Sequence, residues 1–265
     1  MAMRITSALI ILTLLTSAAT AAATDWQEVA PETRMRLVSS DRLEAGAILV
    51  GIEVDMPAGH KTYWRIPGET GVPTSIQDLG SAGFGAPTIL WPHPQVHQTE
   101  GYLDFVYSGP TVLPMQVEGT GGELALRVTM GICSDICVPV QASFRLSVDP
   151  ARPDAGQALR LRQAMANVPV TPPDDTMIGS VTLAGEQLLV PLGTPDIDPH
   201  TVIAAGAGSD LLFGAPQKSP DNNLVILPLL GGNGQSLVGQ TIQISFMTPA
   251  GPFVVERVVS AGGST

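Results

Sequence analysis

Two cysteines occur in the 265-residue chain. They stand four apart in Gly131-Ile132-Cys133-Ser134-Asp135-Ile136-Cys137-Val138-Pro139-Val140. Around a turn between two β segments, that spacing brings Cβ atoms within the ~3.5–4.5 Å that a disulfide needs. A closed loop of about five residues removes about 2 kcal/mol of unfolded-state entropy, against about 4–5 for a hundred-residue loop. A bond meant for stability is better placed between distant strands. A short loop that opens without unfolding its surroundings suits a bond that is repeatedly made and broken, and exposed disulfides are the reducible ones. Redox exchange is therefore the leading reading, a structural staple the second, and Cu(I) held by the two thiolates with a methionine the third. The metal reading is the weakest, because two cysteines do not complete a tetrahedral site and His60, His93, His97 and His200 show no ligand spacing. His93 and His97 are four apart, but the prolines of Trp91-Pro92-His93-Pro94 exclude a helix there. The nine methionines are dispersed and read as core filler, or at Met1 and Met3 as part of a leader.

Other constellations are weaker still. Gly83-Phe84-Gly85-Ala86-Pro87 has glycines at dinucleotide-loop spacing, but Pro87 and the missing βαβ context defeat that reading. Glu100 and Asp104 form a candidate carboxylate pair; in so acidic a chain both are expected on the solvated surface, without a catalytic role.

The elements that must hold the cysteines are strands. Large apolar residues recur at every second position in Ala47–Asp55 and in Leu124–Met130, as a half-buried strand requires. With Met35–Ser39, Thr88–Trp91, Leu103–Tyr107, Thr111–Val117 and Ser143–Val148 they make seven short strands, separated by turn residues, and suggest a β-sandwich. Asp154–Asn167 is the one clear helical stretch, with Leu159, Leu161, Ala164, Met165 and Val168 near helical spacing and the segment Pro169 to Pro173 ending it. Strands resume at Ile178–Leu183, Gln187–Pro191, Thr201–Ala205, Leu224–Leu229, Thr241–Phe246 and Gly251–Val259. This region has no cysteine, and is read as a scaffold or docking module. The expected organisation is a leader over 1–23, a redox β-sandwich over 24–149, a helix and linker over 150–173, a second, smaller β-sandwich-like domain over 174–260, and a tail over 261–265. The class is all-β.

Composition bounds the partners. With 24 Asp+Glu against 13 Lys+Arg the formal charge is -11, which excludes a nucleic-acid binder, since that needs clustered cations. The same charge opposes docking to anionic lipid. Arg4, the apolar run Ile5–Leu15 and the small residues Ala19-Thr20-Ala21 and Ala21-Ala22-Ala23 read as a secretory leader cleaved after Ala23. The mature chain is then expected in a bacterial periplasm without membrane insertion, where disulfides persist.

One resemblance sharpens these expectations. The run His60-Lys61-Thr62-Tyr63-Trp64-Arg65-Ile66-Pro67-Gly68-Glu69-Thr70-Gly71-Val72-Pro73-Thr74, then Trp91-Pro92-His93-Pro94, Gly101-Tyr102, Leu113-Pro114 and Cys133-Ser134-Asp135-Ile136-Cys137-Val138-Pro139 resembles the N-terminal periplasmic domain of DsbD-type thiol:disulfide interchange proteins, nearest to their copper-sensitivity-suppressor ScsB branch. The resemblance covers about residues 26–148, and the later helix and β domain are similar in arrangement to the region after that domain in longer ScsB-like proteins. It implies an immunoglobulin-like sandwich whose Cys133 and Cys137 take electrons from a membrane-embedded or thioredoxin-like reductase and pass them to periplasmic disulfide proteins. It implies no cofactor beyond the redox-active disulfide. Tyr63 falls where the family places an aromatic near the cysteines. Pro94–Tyr102 falls where it has a cap loop, with Tyr102 as the stand-in for the shielding aromatic. The sequence holds neither the family's transmembrane carrier nor its thioredoxin-like domain, so the donor is expected to be a separate polypeptide. Cys137 is the expected attacker of a client disulfide; Asp135 disfavours the thiolate and turn amides offset it. The rival roles are periplasmic copper handling through the same two cysteines and a non-catalytic interaction module with a structural disulfide.

Overall fold

The computed structural model describes residues 22–134, 136–206, 211–219, 223–232 and 234–262. Before the helix the strands are β1 (Gln27–Ala30), β2 (Thr33–Glu44), β3 (Ala47–Asp55), β4 (Lys61–Gly68), β5 (Ser75–Asp78), β6 (Ala82–Phe84), β7 (Thr88–Ile89), β8 (Gln95–Gln98), β9 (Leu103–Ser108), β10 (Thr111–Cys133) and β11 (Cys137–Val148). After helix α1 (Ala155–Met165) come β12 (Thr182–Ala184), β13 (Gln187–Pro191), β14 (Ile203–Ala205), β15 (Leu212–Phe213), β16 (Gln217–Lys218), β17 (Leu224–Gly231), the one-turn helix α2 (Gly234–Leu237), β18 (Thr241–Thr248), β19 (Gly251–Val258) and β20 (Ser260–Ala261). The protein is all-β, with antiparallel sheets throughout except for the parallel β12–β20 pair.

β10 organises the first region. Residues 111–118 pair with β3, and residues 122–133 pair with β11 as far as Cys133 opposite Cys137. The sequence suggests two strands here, with a turn between them. The structure instead has one strand bent at Gly119, Gly121 and Gly122, whose φ angles of 151°, 109° and 138° disfavour side chains. A Cβ at Gly122 would fall 2.3 Å from the Ala82 carbonyl oxygen, so the glycines also admit β6 against the bend. Both halves feed one core: Leu37, Ile48, Ile52 and Leu113 meet Leu124, Leu126, Met130 and Phe144, all buried. The alternation in β3 is thus the pattern of a strand covered mainly on its core face.

Asp154 caps α1, its carboxylate accepting from the Gln157 amide at 2.9 Å. Ala158 and Leu161 are its buried residues, whereas Leu159, expected on the apolar face, is exposed. Leu159 is one step from Ala158 and two from Leu161, so helical geometry turns it outward when those two pack. Beyond α1, a six-stranded sheet runs β15-β17-β13-β12-β20 with β16 on β17, and β14-β18-β19 form a three-stranded one. Their core gathers Val190, Val225, Leu227, Ile244 and Phe246, while Ile203 and Ala205 of β14 join the first core.

Residues 1–21 of the expected leader lie outside the described residues. Its last two, Ala22 and Ala23, are paired: the Ser39 amide donates to the Ala22 carbonyl at 2.7 Å and Ala23 bridges Val38. Among the described residues no helix is long and apolar enough to cross a membrane.

Candidate functional site

The β10–β11 hairpin stays paired to its tip, which brings Cys133 and Cys137 into direct register. Their sulfurs are bonded at 2.05 Å, with Cα atoms 4.1 Å apart. Cys133 also pairs with Lys61 of β4, so its backbone is flanked on both sides. The two cysteines consequently differ: Cys133 is 0% exposed and Cys137 is exposed. Around Cys137 the side chains of Ile136 (74% exposed) and Val138 face solvent. Asp135, expected to weigh on the thiolate, lies outside the described residues.

Tyr63 stands two residues after Lys61 on β4 and is fully buried. Its hydroxyl lies 2.7 Å from Cys133 Sγ and 3.0 Å from Cys137 Sγ. Sulfurs in a disulfide carry no hydrogen, so the phenol donates to both. The ring is clasped by backbone: a Cβ at Gly71 would fall 2.2 Å from Tyr63 Cδ1, and one at Gly131 3.1 Å from Cδ2. Burial pushes the phenol's pKa up, with Thr70 pulling the other way. The hydroxyl therefore keeps its proton, and remains a donor, throughout the physiological range.

A second layer lies beside the tyrosine. The Lys61 ammonium is 5.9 Å from the Tyr63 ring centroid and 5.2 Å from that of Tyr102. It pairs with Asp104 Oδ2 at 3.3 Å and approaches His97 Nδ1 at 3.4 Å. Asp104 also accepts the Thr70 amide at 3.1 Å and the Thr70 hydroxyl at 2.8 Å. Tyr63 thus reaches the sulfurs, and Tyr102 joins the site through Lys61 and His97. The segment expected as a cap loop, Pro94–Tyr102, is partly strand: Gln95–Gln98 form β8 on β9, and a tight turn closes where the Thr99 amide donates to the Tyr102 carbonyl at 3.0 Å.

One expectation is overturned. Asp104 is fully buried, not solvated, whereas Glu100 is exposed. The signal was present in Leu103-Asp104-Phe105-Val106-Tyr107: apolar residues at 103, 105 and 107 and again at 106 mean a strand covered on both faces. A carboxylate inside such a run has to find a cation. Lys61, Asp104 and Thr70 were missed because each finds its partner more than thirty residues away. Of the histidines, His97 is engaged by Lys61, and His93 lies in a different cavity. Among the described residues no three His, Cys, Asp or Glu side chains converge to hold a metal.

A disulfide at a hairpin tip, one sulfur bearer buried and the other exposed, carried on antiparallel sheets, defines a disulfide-bearing β protein. Residues 28–149 match the family model described as thiol:disulfide interchange protein DsbD, N-terminal. The crystal structure of the N-terminal periplasmic domain of ScsB from Proteus mirabilis is similar in fold, with a TM-score of 0.73 at 23% identity over 91% of this chain and 100% of that one. The fold likeness thus continues past the family match into the later sheets. None of the curated proteins matches the chain.

Proposed function

We propose that the chain is a periplasmic thiol–disulfide exchange protein, passing electron pairs through Cys133 and Cys137 between a separate membrane-embedded or thioredoxin-like reductase and disulfide-bonded clients. The observation that carries this reading is the asymmetry of the pair: Cys137 exposed, and Cys133 buried with the Tyr63 hydroxyl 2.7 Å from its sulfur. Attack on a client falls to Cys137. Its thiolate bonds to one client sulfur, and the other client sulfur leaves as a thiolate that takes a proton. Cys133, deprotonated, then attacks Cys137 Sγ, which re-forms the internal disulfide and releases the second client thiol. Two electrons pass to the client. Resetting runs in reverse: a reductase thiolate attacks Cys137 Sγ and Cys133 departs as a thiolate, stabilised by the Tyr63 donor. The reductase's second thiolate then displaces Cys137. The disulfide is the only redox group this scheme needs, and β12–β20 serve as scaffold.

The described location of the Proteus mirabilis domain supports the periplasm. The pairing of Ala22 and Ala23 with β2 favours leader cleavage after Ala21, which keeps those contacts; N-terminal sequencing of the exported protein should begin at Ala22.

The test is the reduction potential of the pair in glutathione and dithiothreitol buffers. A value above about -250 mV with the fold intact in both states is expected; a value below roughly -300 mV, or unfolding on reduction, identifies a structural staple. In cells, Cys133→Ser should accumulate mixed disulfides through Cys137, and Cys137→Ser should not. Equal trapping by both variants would remove the assigned order of attack.

A further inference from the structure

A cavity of about 240 Å³ lies where β4 and the Trp91–Pro94 segment face the linker and β18. Trp64 and Trp91 give it aromatic wall; Arg65, His93, Gln243 and Ser245 give it polar groups. The polar groups are poorly satisfied. Ser245 is 7% exposed, and its hydroxyl is buried without a hydrogen-bond partner. Among the described residues both ring nitrogens of His93 are likewise buried and meet no hydrogen-bond geometry, although the Thr201 backbone opposes the effect of burial on that ring. Arg65 stacks on Trp64 at 4.7 Å and donates to Gln243 Oε1 at 2.8 Å. Among the described residues it faces no carboxylate at ion-pair distance, as is also true of Arg127 and Arg162, whereas Arg34, Arg36, Lys61, Arg145, Arg152, Arg160 and Arg257 each face one.

In a chain with 24 acids and 13 bases, an acidic partner for one more arginine is easily supplied. A partly buried guanidinium without one leaves a desolvated charge uncompensated. We propose that this cavity is a binding site for a small monocarboxylate with an apolar body. The carboxylate is received by the Arg65 guanidinium, the Ser245 hydroxyl and an N–H of His93, and the body lies against Trp64 and Trp91. One uncompensated positive charge selects a monoanion, and the planar guanidinium suits a carboxylate's two oxygens. The volume, below the usual range of drug-sized ligand sites, limits the occupant to a small molecule. The site uses neither cysteine and stands apart from the exchange reaction.

Titration calorimetry with phenylacetate and with phenylacetamide, its uncharged isostere, tests this on the oxidised protein. Phenylacetate is expected to bind with Kd below about 1 mM, and the amide about tenfold more weakly or worse. Arg65→Gln should lower phenylacetate affinity by about tenfold and leave amide binding unchanged. Ser245→Ala, which removes an unpartnered buried hydroxyl and leaves the fold undisturbed, should weaken the acid severalfold and provides the test if Arg65→Gln does not fold. Equal binding of acid and amide, unchanged acid binding in either variant, or no binding of phenylacetate would overturn the proposal.

Discussion

Two polar regions of this molecule are built on opposite terms. Beside the disulfide every named group has a partner: Tyr63 donates to two sulfurs, Lys61 meets Asp104 and His97, and Asp104 takes two further donors from Thr70. In the cavity between β4 and β18, Arg65 has an amide oxygen, and among the described residues the Ser245 hydroxyl and the His93 ring nitrogens meet no hydrogen-bond partner. A satisfied buried network holds its members in one geometry, which is what a hairpin tip needs if it is to open and reclose on the same two sulfurs. Unsatisfied buried groups raise the free energy of the unliganded state, which a ligand with matching chemistry can recover. The difference teaches that burial alone does not distinguish the disulfide region; completed hydrogen bonding around an asymmetric disulfide does.

The largest effect expected from breaking the satisfied side is at Asp104. Asp104→Asn keeps the shape and leaves the Lys61 ammonium, 11% exposed at its side chain, without its anion. A cost of about 3–5 kcal/mol is expected in urea unfolding, most of it recovered when Lys61→Met is added. A loss below about 1 kcal/mol would mean that the pair is no tighter than a surface ion pair.

The unsatisfied side is probed by pH. Burial lowers the His93 pKa from 6.5 to about 4. A base whose folded pKa is depressed stays neutral in the native state while the unfolded chain binds a proton. Its contribution is therefore whole above about pH 6.5, lost as pH falls toward about 4, and flat below that. The full span is about 3 kcal/mol. His93→Gln should flatten the stability profile between those limits relative to the parent, with the carboxylate titrations common to both. Parallel profiles would show that the ring is solvated in solution.

The smallest effect is at the phenol. Tyr63→Phe keeps the clasped ring and deletes the donor to both sulfurs, removing about 1 kcal/mol from the departing Cys133 thiolate. Reduction by dithiothreitol should slow by about fivefold with little change in folding stability. An unchanged rate would confine Tyr63 to packing.

Much of the architecture was legible in the chain. The alternation in Ala47–Asp55 marks β3 to the residue, and Gln187–Pro191 marks β13 equally well. Asp154 announces the helix start it caps. β4 was not legible: Lys61-Thr62-Tyr63-Trp64-Arg65-Ile66-Pro67-Gly68 has no two-residue period, because its positions face a disulfide, a core and a cavity in turn. β10 was misread at its glycines, which here bend a strand rather than end it.

The sequence by itself determined the all-β class and the placement of the only two cysteines about a turn; these depend on periodicity, turn chemistry and short spacing, which are local, whereas Tyr63 was marked only by the resemblance to DsbD-type domains. Only the tertiary structure decided that Cys133 is buried and Cys137 exposed, that Asp104 is interior and held by Lys61 and Thr70, and that Arg65, His93 and Ser245 meet in one cavity. Each of those facts is a contact between segments far apart in the chain, and local pattern records that a residue is polar without recording what it will meet.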